Sequence, residues 1–193
     1  VVGQFLEKMP GAKALLCVGD FSSRLTSKTD PSTRPVFSDA VSVSLCSNYP
    51  SSPKMHFSLG SIAKGVNAIH MKNTAQNEQK MALSGIDVFA LSVQNVPIQL
   101  NTLLDKYPQY KTEQTQLVLH QANQLINLAI IKKLVTNLQI LQSIEQFGNT
   151  SSASIPLTIC LNSERIKAHS KFCLSGFGVG FSVASVLLEL DPS

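Results

Sequence analysis

The apolar positions fall into short blocks separated by polar punctuation, and the blocks alternate between two periods. Residues 1–9 read as the end of a helix halted by Pro10-Gly11, and Ala12 to Val18 reads as a central strand closed by Gly19-Asp20. Ser22 to Pro35 is a polar loop. Val36 to Cys46 then alternates as a strand with Val41, Val43 and Leu45 on one face. Asn48 to Pro53 is a turn-rich break, Met55 to Lys72 holds one or two short strands, and Asn73 to Lys80 is a polar surface connection. A helix is predicted through Val88, Leu91, Ser92, Val96 and Leu100 toward Leu104, with Pro97 kinking or dividing it. Gln116 to Leu119 is a buried strand that gives way to a helix from Asn123 to about Leu134. Ser143 to Phe147 is strand-like, and Thr150 or Ser151 caps the helix after it. Lys171 to Leu190 reads as a hairpin around a glycine-rich turn. Strands alternating with helices predict a layered α/β fold.

Composition narrows the class. Of 193 residues, 44% are hydrophobic and only 15% charged, so a sizeable core is available and part of the surface is expected to be covered. No apolar run has the length of a membrane span and no leader pattern opens the chain, so a soluble, cytoplasmic protein is expected. The net charge of +4 permits an acidic partner but lacks the aromatic-interleaved basic patch of a nucleic-acid binder. Cys17, Cys46, Cys160 and Cys173 are irregularly spaced, which suits buried thiols better than a disulfide framework or a metal site. The chain opens on Val1-Val2-Gly3-Gln4 as if inside a helix, so an upstream segment is expected.

Two motifs carry chemistry. His120-Gln121-Ala122-Asn123 and Gly148-Asn149-Thr150-Ser151-Ser152-Ala153-Ser154 each deliver one polar side chain at an element junction. In α/β sheets, ligands collect at the carboxyl ends of strands. Gln121, Ala122 and Asn123 suit turn and cap positions, and Thr150, Ser151 and Ser152 suit helix caps. His56, His70 and His169 have no supporting motif and read as surface residues. Arg24, Asp30 and Arg34 read as structural pairing in the polar loop.

These motifs, with Gly19-Asp20-Phe21-Ser22-Ser23-Arg24, Val36-Phe37-Ser38-Asp39-Ala40, Met81 to Phe89 and Ser175-Gly176-Phe177-Gly178-Val179-Gly180-Phe181, run colinearly with a known family. The chain resembles the C-terminal part of β-ketoacyl-acyl carrier protein synthase III, a thiolase-fold condensing enzyme. The resemblance implies an αβαβα architecture, with residues 1–72 ending the N-terminal half and 73–193 forming the C-terminal half. It implies decarboxylative condensation or acyl transfer between coenzyme A and carrier-protein thioesters. His120 and Asn149 would be catalytic, the Val179 N–H would complete the oxyanion hole in place of the family's usual glycine, and Phe177 would line the acyl pocket. The family's nucleophilic cysteine would lie upstream of Val1, since none of the four cysteines matches it. Lys132 and Lys133 match two basic positions used for carrier-protein docking, whereas Leu125 replaces a third. No cofactor is implied beyond the acyl-CoA or phosphopantetheine thioester substrate; the partners implied are acyl carrier protein or acyl-CoA and a second copy as a homodimer, or a chain supplying the missing half. The alternative is a non-catalytic subunit of a heteromeric condensing enzyme. On either reading an apolar face is left exposed, which predicts poor stability or aggregation for these residues alone.

Overall fold

A computed structural model describes residues 1–49, 51–75, 77–167 and 170–190. Its centre is β6 (Gln116–Leu119), whose four residues are all buried. Because side chains alternate across a strand, Leu117 and Leu119 enter one apolar cluster while Val118 enters another on the opposite face. Such two-sided burial suits a strand flanked by parallel neighbours. Accordingly β6 runs parallel to β8 (Lys171–Gly178) on one side and to β7 (Gln139–Ile140) on the other. The hairpin partner β9 (Ser182–Glu189) and then β3 (His56–Ser61) complete a five-stranded mixed sheet in the order β3-β9-β8-β6-β7. The expected break near residue 72 therefore does not separate the sheets, since β3 is an edge strand of the sheet that carries His120.

On one face, α3 (Gly85–Lys106) and α4 (Gln124–Ile131) cover the sheet through Val96, Leu100, Leu104, Ile126 and Ile130. On the other, α6 (Ser154–Leu161) packs Ile155 and Ile159 against Val118, Leu141 and Phe172. Two smaller sheets are hairpins: β1 (Lys13–Asp20) with β2 (Ala40–Ser47), and β4 (Ile69–Asn73) with β5 (Gln79–Leu83). Short helices α1 (Val2–Glu7), α2 (Ser22–Leu25) and α5 (Ile144–Phe147) complete the set.

Three expectations are corrected. The helix around Pro97 is not divided but runs as one element from Gly85 to Lys106. Proline lacks the N–H that would meet the Val93 carbonyl four residues back, and the Lys133 ammonium donates to that carbonyl instead at 3.1 Å. Ser143 to Phe147 is not a strand: Ile144–Phe147 forms α5, because the buried Gln121 Oε1 accepts the N–H groups of Ser143 and Ile144 at its start. The polar stretch from Asn73 to Lys80 contains a strand start, with Gln79 paired to Asn73 across a turn in which Asn77 has φ +60°. The alternation read in β2 is present, yet Val41, Val43 and Leu45 face solvent. No helix among the described residues is long and apolar enough to cross a membrane.

Candidate active site

His120 leaves the carboxyl end of β6, its N–H held by the Ser175 carbonyl at 2.7 Å. The turn that follows is fixed by Gln121, 1% exposed, whose amide nitrogen donates to the Leu119 carbonyl while its oxygen receives the two N–H groups of α5. One buried amide thus ties the two motif-bearing turns together. Asn123 caps α4 by accepting the Ile126 N–H at 2.8 Å. Gln121 and Asn123 accordingly hold turn and cap places.

Gly148 brings the chain to Asn149 with φ +63° and ψ −155°. A Cβ there would stand 2.9 Å from the Ser38 hydroxyl and 3.1 Å from the Val36 carbonyl. That close approach lets the 36–38 segment grip Asn149 by its backbone: Asn149 N–H donates to the Val36 carbonyl and Ser38 N–H to the Asn149 carbonyl. The Asn149 side-chain oxygen accepts the Ser151 N–H at 2.9 Å. The amide orientation follows, since only oxygen can accept there, and Nδ2 remains as a donor. The caps expected at Thr150 and Ser151 are not formed: Thr150 Oγ1 is buried without a partner, and Asn149 and the distant Asp20 serve instead. Asp20 Oδ2 accepts both the Ser152 N–H, at 3.2 Å, and its hydroxyl, at 2.6 Å. These bonds, the Ser152 hydroxyl foremost, hold the Asp20 carboxyl below the ordinary carboxylate range.

His120 and Asn149 line one cavity of about 790 Å³, together with Phe177, Val179, Ser154 and apolar residues such as Leu83 and Val88. The His120 ring meets the edge of Phe177 at a centroid distance of 5.3 Å and an interplanar angle of 87°. His120 Nδ1 lies 2.7 Å from the Ser154 hydroxyl. Burial lowers the His120 pKa to about 4, so the ring is neutral at pH 7. Val179 sits in the β8–β9 turn with its side chain exposed, and its N–H donates to no carbonyl of that turn. A neutral imidazole, a primary amide and a free main-chain N–H around an apolar cavity can stabilise negative charge developing on a bound oxygen.

The remaining candidates lie elsewhere. No cysteine lines the cavity; Cys173 is buried in β8, and burial pushes its thiol up to about 12. Lys132 and Lys133 follow α4, and Leu125 on that helix is exposed. Asp30 is satisfied by Ser32 and Thr33, not by an arginine, and Arg24 stacks over Phe21 at 5.2 Å. His56 is not a bare surface residue: it stacks on Tyr107 with ring centroids 3.7 Å apart. His70 is exposed, and His169 lies outside the described residues. Ser154 escapes motif reading, although one signal exists. With Thr158 it makes a pair of hydroxyls four residues apart on an otherwise apolar helix.

Comparison with known proteins agrees with this geometry. Residues 104–190 match the family described as 3-oxoacyl-[acyl-carrier-protein] synthase III C terminal. Among curated relatives, the β-ketoacyl-[acyl-carrier-protein] synthase III 2 of Halalkalibacterium halodurans is 31% identical over 191 residues, 92% of this chain and 57% of the relative. The synthase III of Vesicomyosocius okutanii is 27% identical over 190 residues, 96% of this chain and 60% of the relative. The crystal structure of 3-oxoacyl-(acyl carrier protein) synthase III from Pseudomonas aeruginosa superposes with a TM-score of 0.86 at 26% identity, covering 98% of this chain and 62% of that one. The chain is similar to the C-terminal part of the synthase III family. It spans about three-fifths of the length of the relatives it matches from end to end. The chain has the thiolase-like layered αβαβα fold of these neighbours, here its C-terminal half with the last elements of the N-terminal half.

Proposed function

We propose that this chain carries the decarboxylation and oxyanion-stabilising part of a β-ketoacyl-acyl carrier protein synthase III-type acyltransferase. The observation that carries the reading is the shared cavity. Two side chains reach it from separate turns, His120 between β6 and α4 and Asn149 between α5 and α6, and the orientation of Asn149 leaves its amide nitrogen as a donor. His120 and Asn149 stabilise the enolate formed as a malonyl thioester loses carbon dioxide, and the Val179 N–H serves the thioester oxygen of the acyl partner. Neither side-chain donor is consumed, and the donors require no rearrangement as charge develops. The acyl group rides on a cysteine outside these 193 residues, and the cavity's apolar wall, Phe177 included, receives its chain. Coenzyme A or a pantetheine-bearing carrier protein delivers the substrates. Lys132 and Lys133 form a basic edge that steers an acidic carrier protein, and the working assembly is a homodimer.

The exposed Leu125, at a place where the family carries a cation, favours a second reading: a non-catalytic subunit that lends walls to a partner's site. Decarboxylation of malonyl-carrier protein by the full-length protein separates the two. His120→Ala and Asn149→Ala are each expected to slow that step by roughly 10²–10³-fold. Turnover indifferent to both substitutions refutes the catalytic reading and leaves the scaffold.

A further inference from the structure

We propose that Ser154 is a positioning residue that holds the His120 ring in the tautomer with its proton on Nε2. The proposal rests on the reading of His120 as a hydrogen-bond donor to substrate, because only that tautomer offers an N–H on the ring nitrogen not engaged by Ser154.

A neutral imidazole has one proton, and the partner of one nitrogen decides which nitrogen keeps it. At His120 that partner is the Ser154 hydroxyl, 2.7 Å from Nδ1. Either group could donate, and the hydroxyl's other contact breaks the symmetry. The Gln121 N–H donates to the same oxygen at 3.4 Å. Ser154 is 1% exposed, so its own hydrogen needs an acceptor inside the protein. Nδ1 supplies it. The reverse arrangement would give the oxygen two donors and leave the hydroxyl hydrogen without an acceptor. Nδ1 therefore accepts, and the ring proton resides on Nε2.

The serine is itself held by a directional chain. Thr158 Oγ1 donates to the Ser154 carbonyl at 2.7 Å, which uses the only hydrogen of that hydroxyl. The contact between Thr158 Oγ1 and Ser143 Oγ, also 2.7 Å, must therefore be donated by Ser143. The Ser143 N–H in turn donates to Gln121 Oε1. Gln121 is the residue next to His120, so the loop of buried groups closes on the turn from which it began.

The test is ¹⁵N-histidine NMR of the full-length protein at pH 7, with malonyl-carrier protein decarboxylation measured alongside. His120 Nδ1 is expected to resonate as an unprotonated nitrogen. Ser154→Ala is expected to add signal from the Nδ1–H form and lower kcat about ten-fold or more with KM little changed. Ser154→Thr, which restores the hydroxyl, is expected to recover both. A protonated Nδ1 in the wild-type protein overturns the proposal even if no variant folds, and so does a tautomer balance unmoved by Ser154→Ala. The unprotonated Nδ1 without decarboxylation would instead sustain the positioning role and remove the proposed function.

Discussion

Lys133 offers the most informative single perturbation, because one ammonium group stands between a structural and a docking role. Pro97 sits inside α3 and donates no hydrogen bond to the Val93 carbonyl, which receives Lys133 Nζ at 3.1 Å. The Lys133 carbonyl accepts from Asn101 Nδ2 at 3.1 Å, which fixes the turn that aims the side chain. A hydrogen bond to a charged group contributes about 1.5–3 kcal/mol when sheltered, and exposure of Lys133 brings the expected value down to about 1 kcal/mol. Lys133→Met keeps the aliphatic stem and removes the donor, so it should cost about that much. Pro97→Ala restores an N–H that can close the helical bond to Val93, and Ala is favoured over Pro in a helix interior by about 3 kcal/mol. Loss of packing at the buried Pro97 offsets part of that gain. In the Pro97→Ala background, Lys133→Met should cost close to nothing. The assay is a double-mutant cycle by denaturant unfolding, read at the midpoint. Equal costs in both backgrounds would refute the account of how α3 passes Pro97 unbroken.

Further outcomes follow from the site. Gly148→Ala forces a side chain into a backbone region reserved for glycine and against the Val36 carbonyl, so a loss of roughly 2–3 kcal/mol in unfolding free energy is expected, with Asn149 displaced; a loss under about 0.5 kcal/mol would contradict the geometry. His120 is neutral in the fold with a pKa of about 4, against about 6.5 unfolded. Below pH 6.5 the unfolded chain takes up a proton that the fold refuses. This stabilisation is thus complete above pH 6.5 and drains away as pH falls toward 4, by roughly 3 kcal/mol. His120→Gln should flatten that part of the stability profile relative to wild type, and superimposable profiles would show that the ring is not buried as described.

What sequence reading reached, and what it did not, divides along the range of the interactions. The β6 strand and the β8–β9 hairpin are legible in their own residues, and the strings around His120 and Asn149 stand out as motifs although Ser175 and the 36–38 segment position them. The short α5 is not legible, because Ile144 and Phe147 sit three apart in a stretch too brief for period to decide, and Gln121 at its N-terminus comes from 22 and 23 residues away. The β5 strand was missed because its first residues, Gln79 and Lys80, carry no apolar alternation and are ordered by pairing with Asn73 and Lys72. The local rule at Pro97 does not anticipate a continuous α3, because the donor that takes the place of its N–H at the Val93 carbonyl comes from Lys133, 40 residues from Val93 in another turn. Ser154 belongs to the same class, its partner His120 being 34 residues distant. The caps assigned to Thr150 and Ser151 were wrong in detail for a related reason: Asp20, 132 residues earlier, reaches the first turn there.

The β1–β2 hairpin has an amphipathic strand turned inside out. In β2 the serines Ser42 and Ser44 are half-buried, while Val41, Val43 and Leu45 are each about 60% exposed. Leu15, opposite Leu45 in the register, adds a fourth large side chain to the exposed set. Full burial of such a side chain contributes about 1.5–3 kcal/mol, so a surface that covers these four gains several kcal/mol from the hairpin alone. Folding and association then become one linked equilibrium rather than two. For residues 1–193 alone the melting temperature should rise with protein concentration, by mass action on a second copy that covers the hairpin, whereas a cover supplied by the same chain would remove the dependence. Threonine at positions 41 and 43 should weaken that dependence while leaving the His120 turn intact.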